Sequence, residues 1–143
     1  MKHRLLILLL CIPWPLLAEQ MVSAGPYRLH YIAMATTELT PEIARQYGVS
    51  RSARRGLLVL NLQHVDAPLT SLPATVSGSI RNLIGQDRLG EFRQVQEQDA
   101  IYSIAEFRFS HLETMRFDLM VQPEGSRVQV PLKFSQQFFT PGR

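Results

Sequence analysis

Four arginines, Arg45, Arg51, Arg54 and Arg55, crowd one short stretch of the chain, with Ser52 among them. A guanidinium group is planar, permanently charged and presents its N–H donors in a rigid fork, a geometry that matches the paired oxygens of carboxylates and phosphates. Several such groups close together can hold a phosphate, a carboxylate or an acidic protein surface. Arg45, Arg51, Ser52, Arg54 and Arg55 are therefore the first candidate binding surface. The plainer reading of the same run is a solvated loop, in which Arg55 pairs with Glu42 or Glu38. The second candidate is Asn82-Leu83-Ile84-Gly85-Gln86, where two amide side chains flank a glycine. Such a turn either recognises a ligand through Asn82 and Gln86 or stitches two sheets together.

Other chemistries find less support. His30, His64 and His111 have no metal-ligand spacing between them, and the one thiol, Cys11, lies in the apolar N-terminal run, so no metal and no other cofactor is expected. Ser50, Ser52 and Ser103 lack a Gly-x-Ser-x-Gly elbow, and the carboxylates are scattered without a paired motif. No catalytic residue is assigned.

The chain begins Met1-Lys2-His3-Arg4, continues through an apolar run from Leu5 to Leu17, and reaches Ala18 just before the polar pair Glu19-Gln20. A spanning helix needs about 20 apolar residues, and this run is about 13 long and interrupted by Pro13 and Pro15. Leu10, not a small residue, precedes Cys11, which argues against a lipoprotein signal. The layout is that of a cleaved export signal over residues 1–18, followed by one domain over 19–143 in the periplasm with no membrane span after cleavage. Removing Lys2 and Arg4 lowers the formal charge from +3 to about +1, too small a footprint to point to a nucleic-acid partner. The processed chain has no cysteine, and at roughly 125 residues it can bury enough surface to dispense with disulfides.

The elements that must position the candidate residues are mostly strands. Pro26 to Ala35 alternates with Tyr27, Leu29, Tyr31 and Ala33 on one side, and Gly56 to Val65 with Leu58, Leu60 and Leu62. Ala74 to Leu83 is weaker, with Val76 and Ile80 flanking Gly78, a mark of a bulge or a close backbone approach. A short strand is expected over Glu91 to Gln96. Ala100 to Ser110 and Thr114 to Gln122 both place their large apolar residues at odd positions. Paired residues on one face must then sum to an even number, which a hairpin with a Ser110-His111-Leu112 loop satisfies, setting Phe107 against Met115 and Glu106 against Arg116. In the last strand Val128, Val130, Leu132, Phe134 and Phe138 are even, so its pairing with Leu119 and Val121 needs an odd sum, supplied by a Pro123-Glu124-Gly125-Ser126 turn. Pro131 cannot donate to a ladder, which makes that strand an edge or bulged. One helix interrupts the strands: Thr40 caps it, Pro41 and Glu42 suit its first turn, Gly48 closes it, and its Ile43 and Tyr47 side should pack on the strands.

About seven strands bounded by turns point to a mostly β fold, a two-sheet antiparallel sandwich of immunoglobulin-like type with one short helix after the first strand; a small closed barrel is the alternative. The segments His30-Tyr31, Leu39-Thr40-Pro41-Glu42-Ile43-Ala44, Tyr47-Gly48-Val49-Ser50-Arg51-Ser52, Arg55-Gly56, Val76-Ser77-Gly78 and Asn82-Leu83-Ile84-Gly85-Gln86, with Phe92-Arg93, Ala100-Ile101-Tyr102 and Glu106-Phe107, resemble the domain-of-unknown-function family 4426. The resemblance covers nearly all of the processed chain. It implies a small exported, mostly β protein of Gram-negative bacteria, and it implies no activity.

Two functional classes follow. The first is a non-catalytic periplasmic interaction module that presents the arginine loop or an open sheet edge to another periplasmic or envelope protein. The second is a small-molecule binder or hydrolase with a pocket between the sheets, built from groups such as His30, Tyr102 and Arg93. Oligomeric state has no signature in the sequence.

Overall fold

The computed structural model describes residues 20–140, so the leader expected over residues 1–18 lies outside the described residues. Period-two alternation resolves into nine strands: β1 (Met21–Ala24), β2 (Tyr27–Ala35), β3 (Arg55–His64), β4 (Ala67–Leu72), β5 (Ala74–Asn82), β6 (Arg93–Glu97), β7 (Ala100–Arg108), β8 (Glu113–Pro123) and β9 (Val130–Phe138). A 3-10 turn, Thr36–Glu38, and helix α1 (Pro41–Tyr47) separate β2 from β3. The strands form two antiparallel sheets, one ordered β1-β2-β3-β7-β6 with β4 also on β3, the other β5-β8-β9. Both keep open edges, so the arrangement is a sandwich and not a barrel. The two strands beyond the seven expected, β1 and β4, pair with β2 and β3 respectively; β1 alternates but is only four residues long, and β4 is exposed over its first four residues, so neither stands out in sequence.

The core lies between the sheets, with Leu29, Leu58, Leu60 and Phe107 of the first facing Ile80, Phe117, Leu119 and Leu132 of the second. Strand β7 does not form the expected hairpin with β8. It pairs with β3 and β6 in the first sheet, whereas β8 pairs with β5 and β9 in the second. Phe107 therefore stands opposite Gly56, Glu106 opposite Leu57, and Arg116 opposite Arg81 and Ser135. The odd positions of both strands still point inward, because each strand's own period of two sets its buried face whichever strand it pairs with.

The final hairpin keeps its odd sum, with Val121 opposite Val130, but its connection is longer than expected and runs from Glu124 to Gln129. Ser126 N donates to Pro123 O at 3.1 Å, and Gln122 Nε2 and Val128 N then donate to Ser126 O and Oγ, which draws residues 126–128 out of the ladder. Strand β9 is an edge, as Pro131 requires.

Helix α1 is built by its ends. Ile43 N donates to the Thr40 hydroxyl at 3.2 Å, Pro41 occupies the first turn, and Gly48 closes the helix at φ +66°, where Val49 N reaches Ala44 O. Tyr47 packs on the strands as expected, but its buried companion is Ala44, 3% exposed, and not Ile43, 40% exposed. The helix and its exit lie over the outward face of the first sheet, where Val49, Leu57 and Ile104 form a second apolar cluster with Tyr47, Val95 and Tyr102. This explains why adjacent residues Leu57 and Leu58 are both fully buried, each on its own face of β3. The Tyr47 hydroxyl donates to Glu97 Oε2 at 2.8 Å, and the Arg93 guanidinium donates to Tyr47 O and Gly48 O, tying α1 to β6. That hydrogen bond, then burial, then the nearby Glu97 charge push the Tyr47 phenol up to about 12.

Candidate functional site

The arginine stretch is shaped by a residue with no charge. Thr36 is fully buried; its hydroxyl accepts from Ser52 N at 2.8 Å and donates to Ser52 O at 3.0 Å. Arg54 N then donates to Ser52 Oγ and Arg55 N to Ser52 O, a turn that hands the chain into β3 with Arg54 and Arg55 at its entrance. In the ladder Arg55 stands directly opposite Arg108. Arg108 N donates to Arg88 O at 3.3 Å, so three arginines lie side by side on three neighbouring backbone segments.

Arg88 is placed there by a segment that spans both sheets. Asp87 bridges Arg81 and Arg88 N donates to Ile80 O on the β5 side, whereas Leu89 bridges Phe107 and Gly90 N donates to Glu106 O on the β7 side. The result is an open cleft of about 320 Å³ lined by Ser52, Arg54, Arg55, Arg88, Arg108, Phe109 and Ser110, with no carboxylate in its lining. A second cleft of about 340 Å³ shares Arg55, Arg88 and Arg108 and adds Asp87 and Glu106. The buried Arg88 Nε and Glu106 Oε1 atoms have no hydrogen-bond partner. Like charges directly opposite in a sheet destabilise it, and besides Arg55 with Arg108 this end of the molecule carries a second such pair, Arg81 opposite Arg116.

Of the expected surface, then, Ser52, Arg54 and Arg55 come together, while Arg45 and Arg51 do not line either cleft. Arg45 is exposed in the last turn of α1, and the Arg51 guanidinium donates to Thr37 O at 3.1 Å, pinning its loop to the 3-10 turn. Glu38 accepts from Ala35 N at 2.9 Å, and neither it nor Glu42 forms an ion pair with Arg55. Asn82 ties its own turn to the neighbouring strand and not one sheet to the other: it is 3% exposed, donates to Gln86 Oε1 and to Glu113 Oε2 of β8, in the same sheet as β5, and accepts from Gln86 N. Gln86 also accepts from the Arg88 guanidinium at 2.8 Å, which connects this turn to the cleft. Arg88, Arg108 and Thr36 escape a sequence reading that looks for local crowding. Arg108 had a signal, its outward phase beside Phe107; Arg88 lies in a stretch without alternation and had none.

The family model described as Domain of unknown function (DUF4426) matches residues 21–141. The chain belongs to the DUF4426 family. Among solved structures, a DUF4426 family protein from Pseudomonas aeruginosa PAO1 is 31% identical with a TM-score of 0.72, over 85% of this chain and 95% of that one. FetP from uropathogenic Escherichia coli strain F11, expressed in the periplasm, shares the fold at 14% identity and a TM-score of 0.55, over 84% of this chain and 91% of that one. A copper-bound variant of FetP is similar at 16% identity and a TM-score of 0.56, over 88% and 97%. No curated protein matches the sequence.

In this DUF4426 chain the middle of the space between the sheets is filled by the core, an open cleft of about 230 Å³ between β5 and the β6–β7 edge is lined by Arg93 and Ser103, and His30 and Tyr102 meet elsewhere. They line an open groove of about 810 Å³ with Ile32, Val59, Asn61 and Gln136, on the outward face of the first sheet. Arg93 is not with them, since it is committed to the exit of α1. Among the described residues no three His, Cys, Asp or Glu side chains are grouped to hold a metal ion, and no helix is long and apolar enough to cross a membrane.

Proposed function

We propose that this DUF4426 chain is an exported, non-catalytic binding module that takes a phosphate or carboxylate group, carried by an envelope component or partner protein, in the cleft of Arg54, Arg55, Arg88 and Arg108. The observation that carries the reading is the convergence of four guanidinium groups, two of them directly opposed in one ladder, on a cleft lined by serines and no carboxylate. Such an arrangement is repulsive when empty and is relieved by a bound anion, which accepts bidentate, charge-assisted hydrogen bonds. The copper of the FetP variant has no grouped His, Cys, Asp or Glu donors to occupy among the described residues, so it lends nothing to the reading. Ser52 and Ser110 supply hydroxyls to the same cleft, and Gln86 holds Arg88 in place.

Thermal and urea melts in inorganic phosphate against chloride of equal ionic strength test this. Phosphate at about a hundred times its Kd should add about 2.7 kcal/mol of stability. Arg108→Gln should remove most of that response and, without phosphate, leave the protein as stable as wild type or more stable by up to about 1 kcal/mol, because the repulsion with Arg55 is gone. Equal melts in the two salts, or a full phosphate response in Arg108→Gln, would refute the reading.

Export is the second part of the proposal, with residues 1–18 as the removed leader and 19–143 as the working domain. The charged start, short apolar run and Ala18 support it, and the similar FetP was made in the periplasm. Sequencing the N-terminus of the chain from fractionated cells should find Glu19 in the periplasm. An intact Met1 start in the cytosol would overturn it.

A further inference from the structure

At the end of the sandwich that bears the cleft, two tight turns carry apolar residues where polar ones are the rule. Gly85 N donates to Asn82 O, so Leu83 and Ile84 are the central residues of a turn, and they are 58% and 79% exposed. Glu113 N donates to Ser110 O, which puts His111 and Leu112 at the centre of another. Leu112 is 52% exposed and sits at φ +61°, a left-handed conformation that glycine or asparagine adopts more readily. Asn82 and Glu113 share a hydrogen bond, so the two turns lie side by side, and the ring of Phe139, 55% exposed, lies 6.4 Å from that of His111. Among the described residues no buried cluster includes Leu83, Ile84, Leu112 or Phe139.

The charge around them has one dominant sign. Arg54, Arg88 and Arg108 belong to the cleft, and Arg81 and Arg116 stand exposed and opposed at the adjoining ends of β5 and β8. Of the nearby acids, Glu113 accepts from Asn82 and Ser110 N, Asp87 accepts from Leu89 N, and Glu106 lies within the second cleft. The apolar side chains stand highly exposed on adjacent turn tips and are set among arginines. They match the boundary between lipid headgroups and acyl chains, where isolated apolar side chains enter the bilayer and cations meet phosphates.

We infer that this end of the domain docks on an anionic phospholipid surface, with Leu83, Ile84, Leu112 and Phe139 inserted and Arg81, Arg88, Arg108 and Arg116 on the headgroups. The inference stands on the turn tips and does not require the cleft to hold a free anion. Co-sedimentation of the processed chain with phosphatidylglycerol–phosphatidylcholine vesicles, against phosphatidylcholine alone, tests it at low and high salt. Wild type should sediment with the anionic vesicles only, and less as salt rises. The combined variant Leu83→Ser, Ile84→Ser, Leu112→Asn should bind more than about tenfold more weakly while keeping its melting temperature and phosphate response. Arg81→Gln and Arg116→Gln should each weaken binding about fivefold. Absence of sedimentation, equal binding to neutral vesicles, or tip variants that bind like wild type would each overturn the inference. So would tips that cross-link to an envelope protein while vesicles bind nothing. A lost phosphate response with vesicle binding intact would count against the cleft alone.

Discussion

Replacing Phe107 by alanine is expected to cost about 3 to 5 kcal/mol in equilibrium urea melts. The residue is 1% exposed and lies against both sheets: its ring meets Phe117 edge-on at 5.3 Å and Phe138 at 5.1 Å, and lies 6.4 Å from Phe109. Its cross-strand neighbour, Gly56, has no side chain because the ring occupies that space; a Cβ there would lie 2.1 Å from Phe107 Cζ. Truncation thus leaves a void floored by a strand backbone, which cannot move in to fill it. Phe117→Ala falls in the same range, since that ring also stacks on Phe134 at 4.2 Å. A loss under about 1 kcal/mol for Phe107→Ala would contradict its role as the contact joining the sheets. The variant should also weaken the phosphate response, because Gly56 and Phe107 are the immediate neighbours of Arg55 and Arg108 in the ladder.

Gly78→Ala is the second large effect, expected at about 3 kcal/mol or more. Gly78 has φ +129°, and holding an alanine there costs about 1 to 3 kcal/mol in backbone strain alone. In addition, its Cβ would lie 2.2 Å from Asp118 O and 2.9 Å from Leu119 Cα, both backbone atoms of the strand that β5 pairs with. Relief requires β5 to separate from β8, and β5 is an edge with no second partner strand in its sheet to hold it. Ser77→Ala, one residue earlier and exposed, is the control and should change stability by no more than about 0.5 kcal/mol. Urea melts in which the two variants coincide would show that the close approach at Gly78 is not required.

These effects trace how far the sequence can be read. The glycine at position 78 signalled a close approach from its place between Val76 and Ile80, and the approach is there. The caps of α1, the edge position of β9 and the inward odd positions of β7 and β8 likewise follow from local chemistry: a hydroxyl before a proline, a residue without an N–H, a side-chain period of two. On α1 the Tyr47 side packs as expected, but the small Ala44 and not Ile43 is buried beside it, a choice made by the surface it packs on. The arginines show the same division. Crowding in sequence singled out Arg45, Arg51, Arg54 and Arg55, yet the cleft keeps the last two and takes Arg88 and Arg108 from distant segments.

Alone, the sequence determined which face of each strand and which end of the helix is apolar or capped, because those depend on neighbours a few residues away. Only the tertiary structure decided that β7 joins β3 and β6 and not β8, and therefore that Arg55 meets Arg108 beside Arg88. Side-chain alternation records burial but not the identity of the hydrogen-bonding partner, and facing sheets bury the same residues as a hairpin would. The choice between them is made by all the strands together, when each backbone N–H and C=O must find a partner at once.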